Sequence, residues 1–187
     1  MQPDSSHVAP KKSLTVVLPV YRNEASIAEL VTRLEQACAP LDIGLELLFI
    51  DDASPDNAYE LIHNLKSRHR TIRIIRHDHN RGQQEAIRSG LKNSNSDYVA
   101  VMDADLQDPP EVIPRLYREI TIRQANAVFA VRSNPYQSTG RMTTSRVFKW
   151  LVRQMVNLPR GAGCFVLMDR AMVHAVLGFE TKRFYLP

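Results

Sequence analysis

Two carboxylates one residue apart, Asp103 and Asp105, with Gln107 after them, are the residues best suited to chemistry in this 187-residue chain. They lie in Y-V-A-V-M-D-A-D-L-Q-D-P-P-E, Tyr98 to Glu111, where an apolar run ends in an acidic cluster. Along an extended backbone alternate side chains face the same way, so Asp103, Asp105 and Gln107 share one side. Two carboxylates and an amide oxygen suit a hard divalent cation, Mg2+ or Mn2+. A second acidic pair, Asp51-Asp52, also closes an apolar run. A carboxylate there can accept from a base N–H or from ribose hydroxyls, and Asp52 is the candidate. Together the two clusters would hold both ends of a nucleoside diphosphate. A cation on Asp105 would offset the charge that builds on a leaving diphosphate. The competing reading makes Asp103 and Asp105 solvated turn residues and leaves Asp108 as a helix cap.

The elements around these clusters repeat one pattern. Apolar runs of strand length are expected at Leu14–Val20, Leu45–Ile50, Ile72–Ile75, Tyr98–Met102 and Ala127–Val131, with a last one at Cys164–Met168. Helical spacing of apolar residues follows each of the first four: Ile27, Leu30, Val31 and Leu34; Tyr59, Ile62 and Leu65; Ala86, Ile87 and Leu91; Val112, Ile113, Leu116 and Ile120. Asn23 or Ser26, Ser54-Pro55 and Asp108-Pro109 read as helix starts, and Asp169 as the cap of a final helix through Leu177. Strands alternating with single helices predict an α/β fold with a mostly parallel sheet and right-handed crossovers. Ligands bind such sheets outside the carboxyl ends of the strands. Tyr21–Glu24, Asp51-Asp52, Arg81–Gln84, Asp103–Gln107 and Arg132 all fall at such ends.

Composition narrows the class. Apolar content of 44% and charged content of 24% are ordinary for a globular chain. A net charge of +4 suits anionic ligands or an anionic membrane face and is too weak to argue for nucleic acid. Cys38 and Cys164 form no C-x-x-C, so a reducing compartment is expected. No run approaches the roughly 18–20 apolar residues of a membrane span. Residues 133–144 are turn-rich, and 145–156 have the spacing of an amphipathic helix that suits the core or a membrane surface equally. Phosphate-loop, dinucleotide and G-x-S-x-G motifs are absent, and His77-Asp78-His79 lacks the Cys or H-E-x-x-H company of a zinc site.

Four stretches carry a resemblance: P-V-Y-R-N-E (Pro19 to Glu24), F-I-D-D-A-S-P-D-N (Phe49 to Asn57), N-R-G-Q-Q-E-A (Asn80 to Ala86) and V-M-D-A-D-L-Q-D-P-P-E-V-I-P-R-L (Val101 to Leu116). Together they resemble the family 2 glycosyltransferases, and D-A-D-L-Q-D-P-P-E most resembles their polyprenyl-phosphate branch. The family more often has D-D-G-S where this chain has Asp51-Asp52-Ala53-Ser54.

The resemblance implies a GT-A-type, Rossmann-like fold from residue 14 to residue 187, after a flexible tail at 1–13. It implies that relatives continue into a C-terminal membrane-associated part. It puts Pro19, Tyr21, Glu24, Asp51, Asp52, Asp103 and Ala104 about the nucleotide, and Asp105 and Gln107 on the metal. Asp103, Asp105, Arg132 and Arg146 become the catalytic set, the arginines near the donor and acceptor phosphates. The implied partners are a UDP- or GDP-linked sugar, a polyprenyl phosphate and the cytoplasmic face of a membrane, and a homo-oligomer is admitted. The rival expectations are a transferase to a saccharide or protein hydroxyl, and a non-catalytic nucleotide-sugar-binding module.

Overall fold

The computed structural model of the chain describes residues 11–131 and 162–179. Six strands form one sheet: β1 (Ser13–Val20), β2 (Gly44–Asp51), β3 (Ile72–Arg76), β4 (Tyr98–Val101), β5 (Ala127–Val131) and β6 (Ala162–Asp169). Between and after them run α1 (Glu24–Cys38), α2 (Ala58–Lys66), α3 (Gln83–Asn93), α4 (Ile113–Arg123) and α5 (Arg170–Phe179), with a 3-10 turn at Pro110–Val112.

The spatial order is β3-β2-β1-β4-β6-β5. β1, β2, β3 and β4 are mutually parallel, as the alternation of strand and helix predicts. β6 runs antiparallel to β4 and β5 and separates them, so β5 does not lie beside β4. An apolar run such as Phe165–Met168 is buried on either heading, so its pattern carries no direction.

β1 is apolar on both faces because the sheet is covered on both. On one side Leu14, Val16, Leu18, Leu47 and Phe49 pack with Ile27, Leu30, Leu34, Ile62, Ile113 and Leu116 of α1, α2 and α4. On the other Val17, Leu48, Ile50, Val99 and Val101 pack with Ile87 and Leu91 of α3 and Val173 and Val176 of α5. Gly90 brings α3 hard against β1: a Cβ there would stand 2.2 Å from Val17 Cγ1.

The chain winds outward from β1 through β2 to β3, then crosses to β4 on the other side of β1. This reversal opens a crevice between the carboxyl ends of β1 and β4. The β1–β4 ladder ends at Val17–Val101, with Met102 N still donating to Val17 O at 3.3 Å. Val20 O turns toward β2, where it accepts from Asp52 N. Its neighbour Pro19 therefore turns its nitrogen toward the side that β4 has left. A central strand tolerates a proline there because no ladder bond is lost.

Candidate functional site

Three helices start differently from the sequence expectation, and each difference builds the site. Asn23 precedes α1 but makes no side-chain cap; its Oδ1 accepts from Tyr21 N at 3.1 Å. Instead Asp56 Oδ2 accepts from Glu24 N at 3.1 Å, and Glu24 Oε2 accepts from Asn57 N at 3.1 Å. Glu24 and Asp56 thus satisfy N–H groups at the head of each other's helix, tying the loop after β1 to the loop after β2. α2 begins at Ala58, since Ser54 serves the site: its Oγ accepts from Arg22 N at 2.7 Å and donates to Asp56 Oδ1 at 2.5 Å. Asp108 does not cap α4. It is buried, and a 3-10 turn from Pro110 leads into the helix at Ile113.

The loops are shaped by left-handed backbone. Arg22 (φ 60°), Ala53 (φ 52°), Gly82 (φ 89°) and Leu106 (φ 61°) follow β1, β2, β3 and β4 respectively. A positive φ costs about 1–2 kcal/mol for a residue with a Cβ, so three such turns on one rim are held by their surroundings.

Asp51 has no exposed surface. Its Oδ1 accepts from Ser54 N at 3.0 Å, which fixes the Ala53 turn, and its Oδ2 lies 3.1 Å from Arg76 Nε. Burial raises the Asp51 carboxyl above its usual range, opposed by the Ser54 N–H and the Arg76 charge. The Arg76 guanidinium lies over the Tyr59 ring, 4.4 Å from its centroid.

Asp52 is anchored from β3. In the ladder Asp51 pairs with Arg76, so the next residues, Asp52 and His77, stand side by side. Asp52 Oδ1 accepts from His77 Nδ1 at 2.7 Å and Arg81 N at 2.9 Å, and Oδ2 from Gly82 N at 2.7 Å. His77 Nε2 meets Ser89 Oγ at 2.9 Å. The sequence reading left His77 aside with the weak zinc motif; its signal was the position one residue past β3, beside a strand that ends in two aspartates.

The acidic cluster after β4 is not carried on the extended backbone expected for it. The backbone turns instead of running on extended. Asp105 Oδ1 accepts from Gln107 N at 3.1 Å, with Leu106 left-handed between them. Ala104 is buried and Leu106 packs on the core, while Asp105 and Gln107 are exposed. Asp103 is half-buried and its Oδ1 accepts from Gln83 Nε2 at 2.5 Å. Ser26 Oγ donates to Ala104 O at 2.5 Å, so α1 and α3 both grip this loop.

The structure therefore brings Pro19, Tyr21, Glu24, Asp51, Asp52, Asp103, Ala104, Asp105 and Gln107 to one edge of the sheet. Tyr21 is 41% exposed, a large ring left open on the rim. Arg132 and Arg146 lie outside the described residues, as do the turn-rich stretch 133–144 and the helical pattern 145–156. Among the described residues no group of three His, Cys, Asp or Glu could hold a metal ion by itself. Asp103, Asp105 and Gln107 are hard oxygen donors that fit a divalent cation sharing its shell with diphosphate oxygens and water. Among the described residues no helix is long and apolar enough to cross a membrane.

Residues 15–177 match the family described as Glycosyl transferase family 2. Several solved structures have a similar fold. One is the mannosyltransferase PcManGT from Pyrobaculum calidifontis in complex with GDP-Man and Mn2+. It has a TM-score of 0.66 and 17% identity, over 90% of this chain and 47% of that one. Another is mannosyl-3-phosphoglycerate synthase from Rubrobacter xylanophilus, with a TM-score of 0.60 and 15% identity, over 87% of this chain and 54% of that one. A third is S. aureus TarS 1-349 in complex with UDP-GlcNAc, with a TM-score of 0.52 and 18% identity, over 70% and 37%. At these identities the likeness is one of fold, and it is the GT-A fold expected. The chain spans about half the length of the first two proteins, 47% and 54%.

Proposed function

The chain belongs to glycosyl transferase family 2, and from that premise we propose that it moves a sugar from a nucleoside diphosphate to a polyprenyl phosphate, with inversion at the anomeric carbon. The observation that carries the donor half is the spacing of the two acidic sites. Asp52 follows β2 and Asp103 follows β4, with β1 alone between those strands. Two strand spacings are about 10 Å, a span suited to a nucleotide lying from base to diphosphate across the β1–β4 crevice. The exposed Tyr21 ring stands on the same rim.

In this reading Asp52 meets the base, Pro19, Tyr21 and Glu24 line the nucleotide, and Asp103 with Ala104 lies along ribose and diphosphate. Asp105 and Gln107 would hold a Mg2+ or Mn2+, which supplies positive charge to the departing diphosphate. The Mn2+ in the Pyrobaculum complex supports a divalent ion. The acceptor half rests on D-A-D-L-Q-D-P-P-E, which resembles the polyprenyl-phosphate branch. A phosphate monoester, with a second pKa near ~6, is largely a dianion at neutral pH and needs no general base. One of its oxygens attacks the anomeric carbon, and the bond to the donor diphosphate breaks with its electron pair leaving on the nucleoside diphosphate. Arg132 and Arg146 are assigned to place the acceptor phosphate and steady the donor phosphates. Such an acceptor would bring the protein to the cytoplasmic face of a membrane.

The test is transfer from UDP- and GDP-sugars to a polyprenyl phosphate, compared with saccharide acceptors, in the presence of Mn2+. Product on the lipid, lost in Asp105→Asn with circular dichroism unchanged, is the expected result. Full activity in that variant, or with the metal chelated, contradicts the assignment of Asp105. Transfer to a hydroxyl alone replaces the acceptor, and donor binding without turnover leaves a binding module.

A further inference from the structure

We infer that the base of the donor is uracil and not guanine, because the loop after β3 leaves Asp52 a single acceptor position. The inference rests on the nucleotide-sugar reading above and settles which base that site takes.

A carboxylate offers about four lone-pair positions, two on each oxygen. On Oδ1 both are taken, by His77 Nδ1 at 2.7 Å and Arg81 N at 2.9 Å. On Oδ2 one is taken, by Gly82 N at 2.7 Å. Both oxygens already accept backbone N–H groups, so the imidazole nitrogen facing Oδ1 is a donor too. The Asp52 carboxylate has no further hydrogen-bond partner among the described residues, and its side chain is 3% exposed. At most one acceptor position, on Oδ2, is therefore open to a ligand.

The loop that imposes this count is braced. Arg81 Nη2 donates to Asp78 Oδ1 at 2.6 Å, and Gly82 N is shared with Asn80 Oδ1 at 3.1 Å. Gly82, at φ 89° and ψ 156°, holds a backbone that glycine alone adopts readily, and α3 starts directly after it. His77 is itself buried and held at Nε2 by Ser89. Asp52 therefore cannot turn to free Oδ1 without dismantling the start of α3.

Guanine presents two adjacent donors, N1–H and the 2-amino group, which pair with a carboxylate only if each oxygen has an outward position. Here the Asp52 carboxylate can meet only one of those donors, and a donor left unmet costs far more than a met one returns. Uracil presents a single donor, N3–H, between two carbonyls. It matches the one position left.

Calorimetry of the chain with UDP and with GDP, each with Mn2+, isolates the base, since ribose, diphosphate and ion are shared. Binding of UDP at least about tenfold tighter than GDP is expected, with the N3 imino proton of bound UDP appearing as a slowly exchanging NMR resonance. GDP binding as tightly as UDP, or no protected imino proton, overturns the assignment while the nucleotide-sugar reading stands. Binding of neither overturns that reading and the inference with it.

Discussion

Gln83 Nε2 donates to Asp103 Oδ1 at 2.5 Å, across twenty residues of sequence. The same short segment, residues 77–83, thus touches both acidic sites: His77, Arg81 and Gly82 hold Asp52, and Gln83 holds Asp103. Nothing in the apolar pattern advertises this segment, which is almost wholly polar.

Gln83 acts as a positioning residue for Asp103. Gln83→Ala should lower kcat for sugar transfer about tenfold, the usual scale for a lost supporting hydrogen bond, with little change in donor KM. Gln83→Glu, which sets a carboxylate against Asp103, should be worse. Steady-state kinetics with urea unfolding separates the effects. A large loss of stability with kcat preserved would make Gln83 a structural residue only.

Ala53 sits at φ 52° between Asp52 and Ser54. Ala53→Gly should relieve about 1–2 kcal/mol of backbone strain against about 0.4–1 kcal/mol of added unfolded-state entropy. A net stabilisation near 0.5 kcal/mol is expected, read as a higher urea midpoint at unchanged slope. A destabilised variant would mean that the alanine methyl is a packing group.

Asp97 gives a pH signature at the opposite end of the sheet. Lys12 Nζ donates to its Oδ1 at 2.8 Å, and Ser13 N and Oγ both donate to its Oδ2 at 2.9 Å. These bonds, Lys12 foremost, hold the carboxyl down at about 2, below its unfolded value near ~3.9. A depressed acid adds stability that is present above the unfolded value and lost as pH falls through the folded one. Asp97→Asn should therefore be less stable than the parent at pH 7, by about 1 kcal/mol at most, because the carboxylate is 38% exposed. The gap should close between about pH 4 and pH 2. Thermal melts across that range decide it, and a gap independent of pH would remove the charge from the explanation.

Much of this architecture was legible beforehand, and what was not had physical reasons. β1, β2, β3, β4 and β5 fell within two residues of their expected bounds, because runs such as Leu14–Val20 are apolar on both faces only when helices cover both. The acidic rim was legible for the same reason, since parallel strands deliver their carboxyl ends together. The pairing of Asp52 with His77 was hidden because it depends on the β2–β3 register. Asp108 looked like a cap by type and by the prolines after it, yet it is buried, and local chemistry alone does not tell the two apart. The heading of β6 was invisible for lack of any directional mark.

That heading bears on how the chain is made. β5 leaves the ribosome before β6, the one strand it pairs with among the described residues. Ala127–Val131 therefore has no strand partner in the sheet until β6 has emerged, and joining the pair to β4 is a late, long-range event. Chaperone demand during synthesis would concentrate in that interval.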